Sequence, residues 1–317
     1  MEARSPATVK VMTKPRIAIL CVTHGRRDMV RQCLESCSRQ DYPNKEAVVI
    51  INPSDAAAEE AVKAAFSGVK VIRTHRNLGF FPALNLALAN TEAEFVMIVD
   101  DDAWFIDDDA LSTLMAEFES NSRLGAVTCN LEGPTETPIS GGDEYIQVFT
   151  TGFTMMPRLV VTEWVDYFPD MFFRSAGETF LCTQLWEQGR PVKRLERVRM
   201  FHALAAKGRY TRDWHFFGIR SQVLCTLMRE PLALLFPSLL SKFLKSFAQS
   251  VTRGEPGIWC HAWLSAFTLA GEALKYRRPV SMRTRYLLSR LGAEKVTNLD
   301  AIPEWHSLPV NQELKPR

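Results

Sequence analysis

The chain has 317 residues, of which 46% are hydrophobic and 23% are charged, a composition typical of a globular protein with one large or two small domains. Its formal net charge of +2 lacks the strongly basic balance of nucleic-acid-binding proteins, so we predict no nucleic-acid partner. The seven cysteines, an odd number scattered from Cys21 to Cys260, do not form a disulfide framework and favour a reducing compartment.

Strand and helix patterns alternate through the first hundred residues. Apolar runs predict buried strands at 16–22, 46–51, 69–73 and 95–99, and helical spacing predicts helices between them at 28–40, 56–66 and 81–89. Ser54 is a candidate cap for the second of these helices. This alternation predicts an α/β fold with a mainly parallel sheet and crossover helices.

The second half of the chain is less regular. A helix to about residue 120, a strand at 125–129, a loop over 131–144, a strand at 147–156 and a helix at 178–188 are predicted in that order. From about residue 214 to 274 the pattern is helical and rich in Leu, Phe and Trp. We therefore predict a tail at 1–15, a catalytic α/β domain at 16–210, a helical region at 211–295 and a second tail at 296–317.

Three consecutive aspartates, Asp100 to Asp102, directly follow the predicted strand at 95–99. Ligands of open α/β sheets collect at the carboxyl ends of strands, and buried charges need a partner or a metal. Mg²⁺ and Mn²⁺ use one or two protein carboxylates and complete their shell with phosphates and water. The acids therefore predict a divalent cation that holds a diphosphate, although capping of the next helix would also explain them.

Several motifs in chain order resemble those of the inverting glycosyltransferases of family two, including rhamnosyltransferase-like enzymes of bacterial surface polysaccharides. The resemblance covers roughly residues 16–205. Its motifs are Val-Thr-His-Gly-Arg at 22–26, Asn-Pro-Ser-Asp at 52–55, Arg-Asn-Leu-Gly-Phe at 76–80 followed by Asn85, the three aspartates, Gly152 to Arg158, Gly177-Glu178 ahead of Gly189, and His202.

This resemblance implies the Rossmann-like GT-A fold, with helices on both faces of the sheet, and transfer of a sugar from a UDP- or dTDP-sugar to a glycan or lipid-linked acceptor. Asp100, Asp102 and His202 would hold Mn²⁺ or Mg²⁺, and Glu178 would be the catalytic base. The residues implied on the nucleotide side are Thr23, His24, Arg26, Asn52, Asn77, Gly79, Asn85, Asp100 and Asp101.

The chemistry of inversion agrees with these roles. Single displacement at an anomeric carbon needs one general base and stabilisation of the departing diphosphate, but no covalent nucleophile. His202 could complete the metal shell or donate a hydrogen bond to the diphosphate. Structural alternatives stay open: Glu178 also suits the first turn of a helix, and asparagines such as Asn77 and Asn85 commonly serve turns and caps.

The chain departs from the family pattern at three places. Ile51 stands in place of an aspartate associated with the nucleotide base, Leu84 in place of an arginine, and Gly177-Glu178 in place of Glu-Asp. These departures motivate one alternative, a catalytically silent binding or assembly subunit. A second alternative, a nucleotidyltransferase, would have a glycine-rich basic loop after the first strand, which residues 23–26 match poorly.

The C-terminal helices raise the question of a membrane. Met1 to Pro15 lacks the apolar core of a signal peptide, and no stretch reaches the roughly 18 apolar residues of a membrane span. We therefore expect a cytoplasmic protein. The apolar stretches at 231–247 and 258–274, followed by six basic and no acidic residues at 275–290, suit peripheral contact with the inner face of the plasma membrane. Packing on the catalytic domain or a homodimer contact would explain them too.

Overall fold

The computed structural model describes residues 14–53, 57–204 and 212–308. The apolar runs of the first hundred residues form strands, within one or two residues of their predicted bounds. The strands are β1 (Ile17–Thr23), β2 (Lys45–Ile51), β3 (Lys70–Arg73), β4 (Phe95–Asp100), β5 (Ala103–Phe105), β6 (Ala126–Glu132), β7 (Glu144–Tyr145), β8 (Phe153–Pro157) and β9 (Val192–His202).

Helices connect these strands and make up most of the described C-terminal third. They are α1 (Arg27–Arg39), α2 (Ala57–Ala65), α3 (Phe81–Leu88), α4 (Ala110–Ser120), α5 (Gly177–Glu187), α6 (Arg212–Arg229), α7 (Leu232–Thr252), α8 (Pro256–Ala273), α9 (Met282–Leu291) and α10 (Pro303–His306). The predicted cap Ser54 and the predicted domain boundary at residue 210 lie outside the described residues.

The described strands form one nine-stranded sheet with the order β3-β2-β1-β4-β8-β6-β9-β5, and β7 pairs with β9. Strands β1 to β4 are parallel, as predicted. Beyond β4 the sheet is mixed, because β8 is antiparallel to both β4 and β6, while β9 is parallel to β6 and antiparallel to β5. The long strand β9 and the short strand β5 were not predicted, although apolar residues recur along β9.

Both faces of the parallel strands β1, β2 and β4 are covered. In β1 every residue is buried, and alternate side chains belong to two separate apolar clusters: Ile17, Ile19 and Cys21 lie on the side of α1, and Ala18 and Leu20 lie on the side of α3. A strand covered on both faces needs a continuous apolar run rather than alternation, which is why β1 and β4 were recognisable from the sequence.

Within the predicted tail at 296–317, residues 296–308 pack against the sheet domain. Val296 forms an isolated bridge with Tyr145, and the Trp305 ring lies edge-on to Trp186 with centroids 5.9 Å apart. Leu299, Ile302, Trp305 and Leu308 are all buried. Burial of this apolar surface attaches the chain after α9 to the sheet domain.

Among the described helices, none combines the length and the apolar character that crossing a bilayer requires. The C-terminal helices are nevertheless unevenly buried. Helix α6 packs against α5 and α8, whereas α7 has a single buried residue, Ser250.

Candidate active site

Two buried carboxylates lie just beyond the end of β4 and are paired with one arginine. Asp101 and Asp102 are 1% and 2% exposed. Arg26, which follows β1, contacts Asp101 Oδ1 through Nη2 at 2.6 Å and donates from Nη1 to Asp102 Oδ2 at 2.7 Å. Thr23 Oγ1 donates to Asp101 Oδ2 at 2.6 Å. Strand β1 pairs with β4, so the residues at and after its end supply the partners of these acids.

Asp100, Asp102 and His202 form a candidate metal centre. One ligand atom from each lies within 4.8 Å of the others, and His202 Nε2 is 3.6 Å from Asp102 Oδ1. The pairing of β5 with β9 places Ala103 opposite His202, which brings the histidine to the acids across 100 positions of sequence. Two carboxylates and an imidazole form a donor set that Mn²⁺ accepts and that leaves positions for phosphate oxygens and water.

The carboxylates of this cluster are costly to ionise without a cation. Burial, and then the neighbouring charge of Asp102, raise the pKa of Asp100 to about 7. Burial also raises the pKa of Asp101 to about 6, against the opposing influence of Arg26. A bound divalent cation would favour the ionised carboxylates and offset this cost, as expected of a cation-binding site.

The predicted base, Glu178, lies beside the same acids. It is in the first turn of α5, and its Oε1 accepts a hydrogen bond of 2.6 Å from Thr151 Oγ1. The next residue, Gly152, leaves so little room that a Cβ there would lie 2.1 Å from the Asp100 carboxyl carbon. The Thr151–Gly152 turn thus contacts both the predicted base and Asp100 of the candidate metal centre. Burial raises the pKa of Glu178.

The departure at Gly177 has a steric reason. A Cβ at residue 177 would lie 2.2 Å from the ring of Phe81, which is fully buried at the start of α3. The first acid of the family's Glu-Asp pair has no space at this position. Ala176, immediately before it, has a φ of 70°, so the chain turns sharply into α5.

Three of the residues implied on the nucleotide side build the loop between β3 and α3. The buried Asn52 side chain accepts from the Leu78 backbone N–H at 3.0 Å and donates to the Gly79 carbonyl at 3.2 Å. Asn77 Oδ1 accepts from the Gly79 N–H at 2.9 Å. Gly79 has a φ of 81°, and a Cβ there would lie 2.3 Å from the Phe173 carbonyl oxygen. Nucleotide contact by this loop stays a prediction.

The remaining two predicted residues are less central. Asn85 donates to the Phe168 carbonyl at 2.7 Å and accepts from its N–H at 3.1 Å, so this amide holds α3 to the segment before α5. His24 is exposed just after β1. Asn85 therefore has a structural contact between α3 and the segment before α5. The predicted residues that the structure brings together are Thr23, Arg26, Asp100, Asp101, Asp102, Glu178 and His202.

Two residues beside the site were not predicted. Thr151 holds Glu178, and it directly precedes the segment from Gly152 that resembles a family motif. Glu136 Oε1 lies 3.2 Å from His202 Nδ1. Its loop is irregular, and no periodicity or spacing indicates that Glu136 reaches β9.

A comparison with protein-family models identifies a known family over the first half of the chain. Residues 18–174 match the model described as glycosyl transferase family 2. The chain carries a glycosyltransferase family 2 domain. The family resemblance inferred from the motifs is thereby confirmed, and the matched range includes the three aspartates and Thr151.

Curated relatives match part of the chain. Poly-beta-1,6-N-acetyl-D-glucosamine synthase of Staphylococcus epidermidis is 28% identical over 136 residues, which are 41% of this chain and 32% of that protein. Galactofuranosyltransferase GlfT1 of Mycolicibacterium smegmatis is 27% identical over 123 residues, 37% of this chain and 41% of that protein. The matched segments thus cover 32% and 41% of the lengths of these two relatives.

Solved structures confirm the GT-A-like fold. TarS residues 1–349 from S. aureus in complex with UDP-GlcNAc superpose with a TM-score of 0.60 at 16% identity, over 88% of this chain and 87% of TarS 1–349. The mannosyltransferase PcManGT of Pyrobaculum calidifontis, in complex with GDP-Man and Mn²⁺, gives a TM-score of 0.55 at 16% identity, over 93% and 83% of the two chains. Both alignments extend well beyond the family 2 domain.

Proposed function

We propose that this protein is an inverting glycosyltransferase that moves a sugar from a nucleotide-diphosphate donor to a glycan or lipid-linked acceptor. The observation that carries the proposal is that the Thr151–Gly152 turn links two features of a chain whose residues 18–174 match family 2: the Asp100–Asp102–His202 cluster and the carboxylate of Glu178. These are the two functions that a single displacement at an anomeric carbon requires.

Asp100, Asp102 and His202 would hold Mn²⁺ or Mg²⁺. When bound, such an ion neutralises charge on a departing diphosphate as a Lewis acid. Arg26 adds a second positive charge at the same place, since its guanidinium already contacts Asp101 and Asp102. The Mn²⁺ of the PcManGT complex supports a divalent metal and does not select between the two ions.

Glu178 would remove the proton of the acceptor hydroxyl as the new glycosidic bond forms. The bond from the anomeric carbon to the diphosphate oxygen breaks on the opposite side, which inverts the configuration. The hydrogen bond from Thr151 holds the carboxylate in one orientation, and burial raises the pKa of Glu178, which makes the ionised carboxylate a stronger base.

The donor would be a UDP- or dTDP-sugar. The TarS complex contains UDP-GlcNAc and the PcManGT complex contains GDP-Man, so relatives of this fold accept more than one base. Ile51, which stands where the family pattern has an aspartate, lies at the end of β2. It is 2% exposed and belongs to the apolar core. An apolar side chain there offers no hydrogen bond to a base.

A lipid-linked acceptor would require the enzyme to act at the inner face of the plasma membrane. Helix α7 has a surface suited to contact with that membrane. Its large apolar side chains recur every three or four residues on one exposed face, and Leu232 and Phe236 are 77% and 76% exposed. The helix has two lysines and no acidic residue, and the exposed Arg253 follows its end. Apolar and cationic groups together complement an anionic bilayer.

Flotation with vesicles of phosphatidylglycerol and phosphatidylcholine at low salt tests this surface. We expect the wild type to float and the double variant Leu240→Glu/Leu244→Glu to remain at the bottom. Ser241→Glu/Gln249→Glu, which adds the same two negative charges at exposed polar positions of the same helix, is the control for a general loss of positive charge. Sedimentation of a dimer together with no flotation would instead assign the face to a second copy of the chain.

Calorimetric titration with UDP, dTDP, GDP and CMP, with and without Mn²⁺, tests the proposed activity. We expect metal-dependent binding of one diphosphate, which Asp102→Ala abolishes and Glu178→Gln preserves. Transfer from the corresponding sugar nucleotide should be lost in both variants. Binding of no nucleotide would favour the silent assembly subunit, and transfer by Glu178→Gln at a rate near the wild type would refute the assigned base.

A further inference from the structure

The imidazole of His202 is contacted by carboxylates at both ring nitrogens. His202 is 4% exposed at the end of β9. Its Nε2 lies 3.6 Å from Asp102 Oδ1 in the candidate metal centre, and its Nδ1 lies 3.2 Å from Glu136 Oε1 on the other side of the ring. The group whose ligand atoms lie within 4.8 Å of one another contains His202 and the two aspartates but not Glu136.

The loop after β6 is shaped to bring Glu136 to this position. The Glu136 N–H donates to the Gly133 carbonyl at 3.4 Å, which closes a turn. Gly133 lies so close to β9 that a Cβ on it would be 2.4 Å from the His202 carbonyl oxygen. The Phe153 ring meets the imidazole edge-on, with centroids 4.8 Å apart. The histidine is therefore confined by a turn, a ring and a carboxylate.

We propose that Glu136 is a positioning residue that prepares His202 to bind the divalent cation. A neutral imidazole has one N–H donor and one acceptor nitrogen. A carboxylate at Nδ1 accepts the Nδ1–H, which fixes the tautomer and leaves the Nε2 lone pair directed toward the site of Asp102. The same hydrogen bond makes Nε2 a stronger electron-pair donor. This inference rests on the metal role in the proposed function.

Mn²⁺ binding in the absence of donor and acceptor tests the inference, with free Mn²⁺ measured by electron paramagnetic resonance. Glu136→Met keeps the length of the side chain and removes the acceptor, and we expect it to weaken Mn²⁺ binding by about 10- to 100-fold. Glu136→Gln retains an acceptor oxygen, so its affinity should stay within about threefold of the wild type. Glu132→Ala, at the last residue of β6 and paired with Arg199, is the matched control.

A double-variant cycle separates positioning from a merely structural role. In the His202→Ala background, Glu136→Met should cause no further loss of Mn²⁺ affinity, because there is no imidazole left to orient. An equal loss in both backgrounds would overturn the inference, as would wild-type affinity in Glu136→Met. If the wild type does not bind Mn²⁺, both the metal role in the proposed function and this inference are wrong. If the wild type binds Mn²⁺ and Glu136→Met binds it equally well, only this inference is wrong.

Discussion

Asp100→Asn should stabilise the metal-free protein at alkaline pH. The pKa of Asp100 is raised from 3.8 to about 7, chiefly by burial and then by the charge of Asp102. Between these two values the native state retains a proton that the unfolded chain has released. The free energy of unfolding therefore falls as pH rises from about 4 through 7, and the full penalty is present above 7.

The size of the effect follows from the two pKa values. A gap of about three pKa units at 1.36 kcal/mol each corresponds to ~4 kcal/mol in total. Asp100 is half-buried, so solvent screening reduces this figure, and we expect about 2 kcal/mol at pH 8.5. An asparagine cannot ionise and escapes the penalty. For a chain of this length the gain corresponds to an increase in Tm of roughly 4 °C.

Thermal unfolding of both proteins from pH 5 to pH 8.5, in EDTA, measures this difference. The exposed Asp109, which makes no capping hydrogen bond at the start of α4, provides the control variant Asp109→Asn. Added Mn²⁺ at 100 times its dissociation constant should stabilise the wild type by about 2.7 kcal/mol and the variant by less. Parallel pH profiles for wild type and Asp100→Asn would refute the reasoning.

Three further predictions test the base, the loop before α3 and the C-terminal packing. The transfer rate of the wild type should fall as pH is lowered through the raised pKa of Glu178, because only the ionised carboxylate accepts the acceptor proton; a rate that stays constant down to pH 4.5, the ordinary pKa of a glutamate, would contradict this. Gly79→Ala should lower the free energy of unfolding, measured in urea, by more than about 2 kcal/mol, because its Cβ would clash with the Phe173 carbonyl at a φ of 81°. Gly68→Ala, at a φ of 72° with no atom within 4 Å, is the control and should cost about 1 kcal/mol. Equal losses in the two variants would exclude the steric clash. Trp305→Ala should cost about 3–5 kcal/mol in the same assay, and a loss below about 1 kcal/mol would show that residues 296–308 contribute little to the core.

The parallel strands β1, β2 and β4 could be predicted from the sequence because they are buried on both faces. Continuous apolar runs such as that of β4 are distinctive, and the polar residues that follow them mark the ligand edge. For the same reason the three aspartates were identified as a candidate site, and the motifs in chain order were sufficient to infer the family.

The mixed half of the sheet was harder to predict. Strand β9 carries basic residues on its half-exposed positions, and β5 has only three residues, so neither has a strong local signal. The buried positions at 296–308 are separated by polar residues, which hides their burial against the sheet domain. Each of these elements is defined by its partners rather than by its own pattern.

The sequence by itself determined the chemical groups of this protein: a run of acids after a buried strand, a glutamate ahead of a glycine, and a histidine at the end of the domain. Only the tertiary structure decided which of them meet. The pairing of β5 with β9 joins His202 to Asp102, and the Thr151–Gly152 turn joins Glu178 to Asp100. Glu136 reaches His202 through a turn in a loop without periodicity. The physical reason is that local patterns report burial and chain direction, whereas contacts between distant residues depend on strand order and register, which are set by the packing of the whole domain.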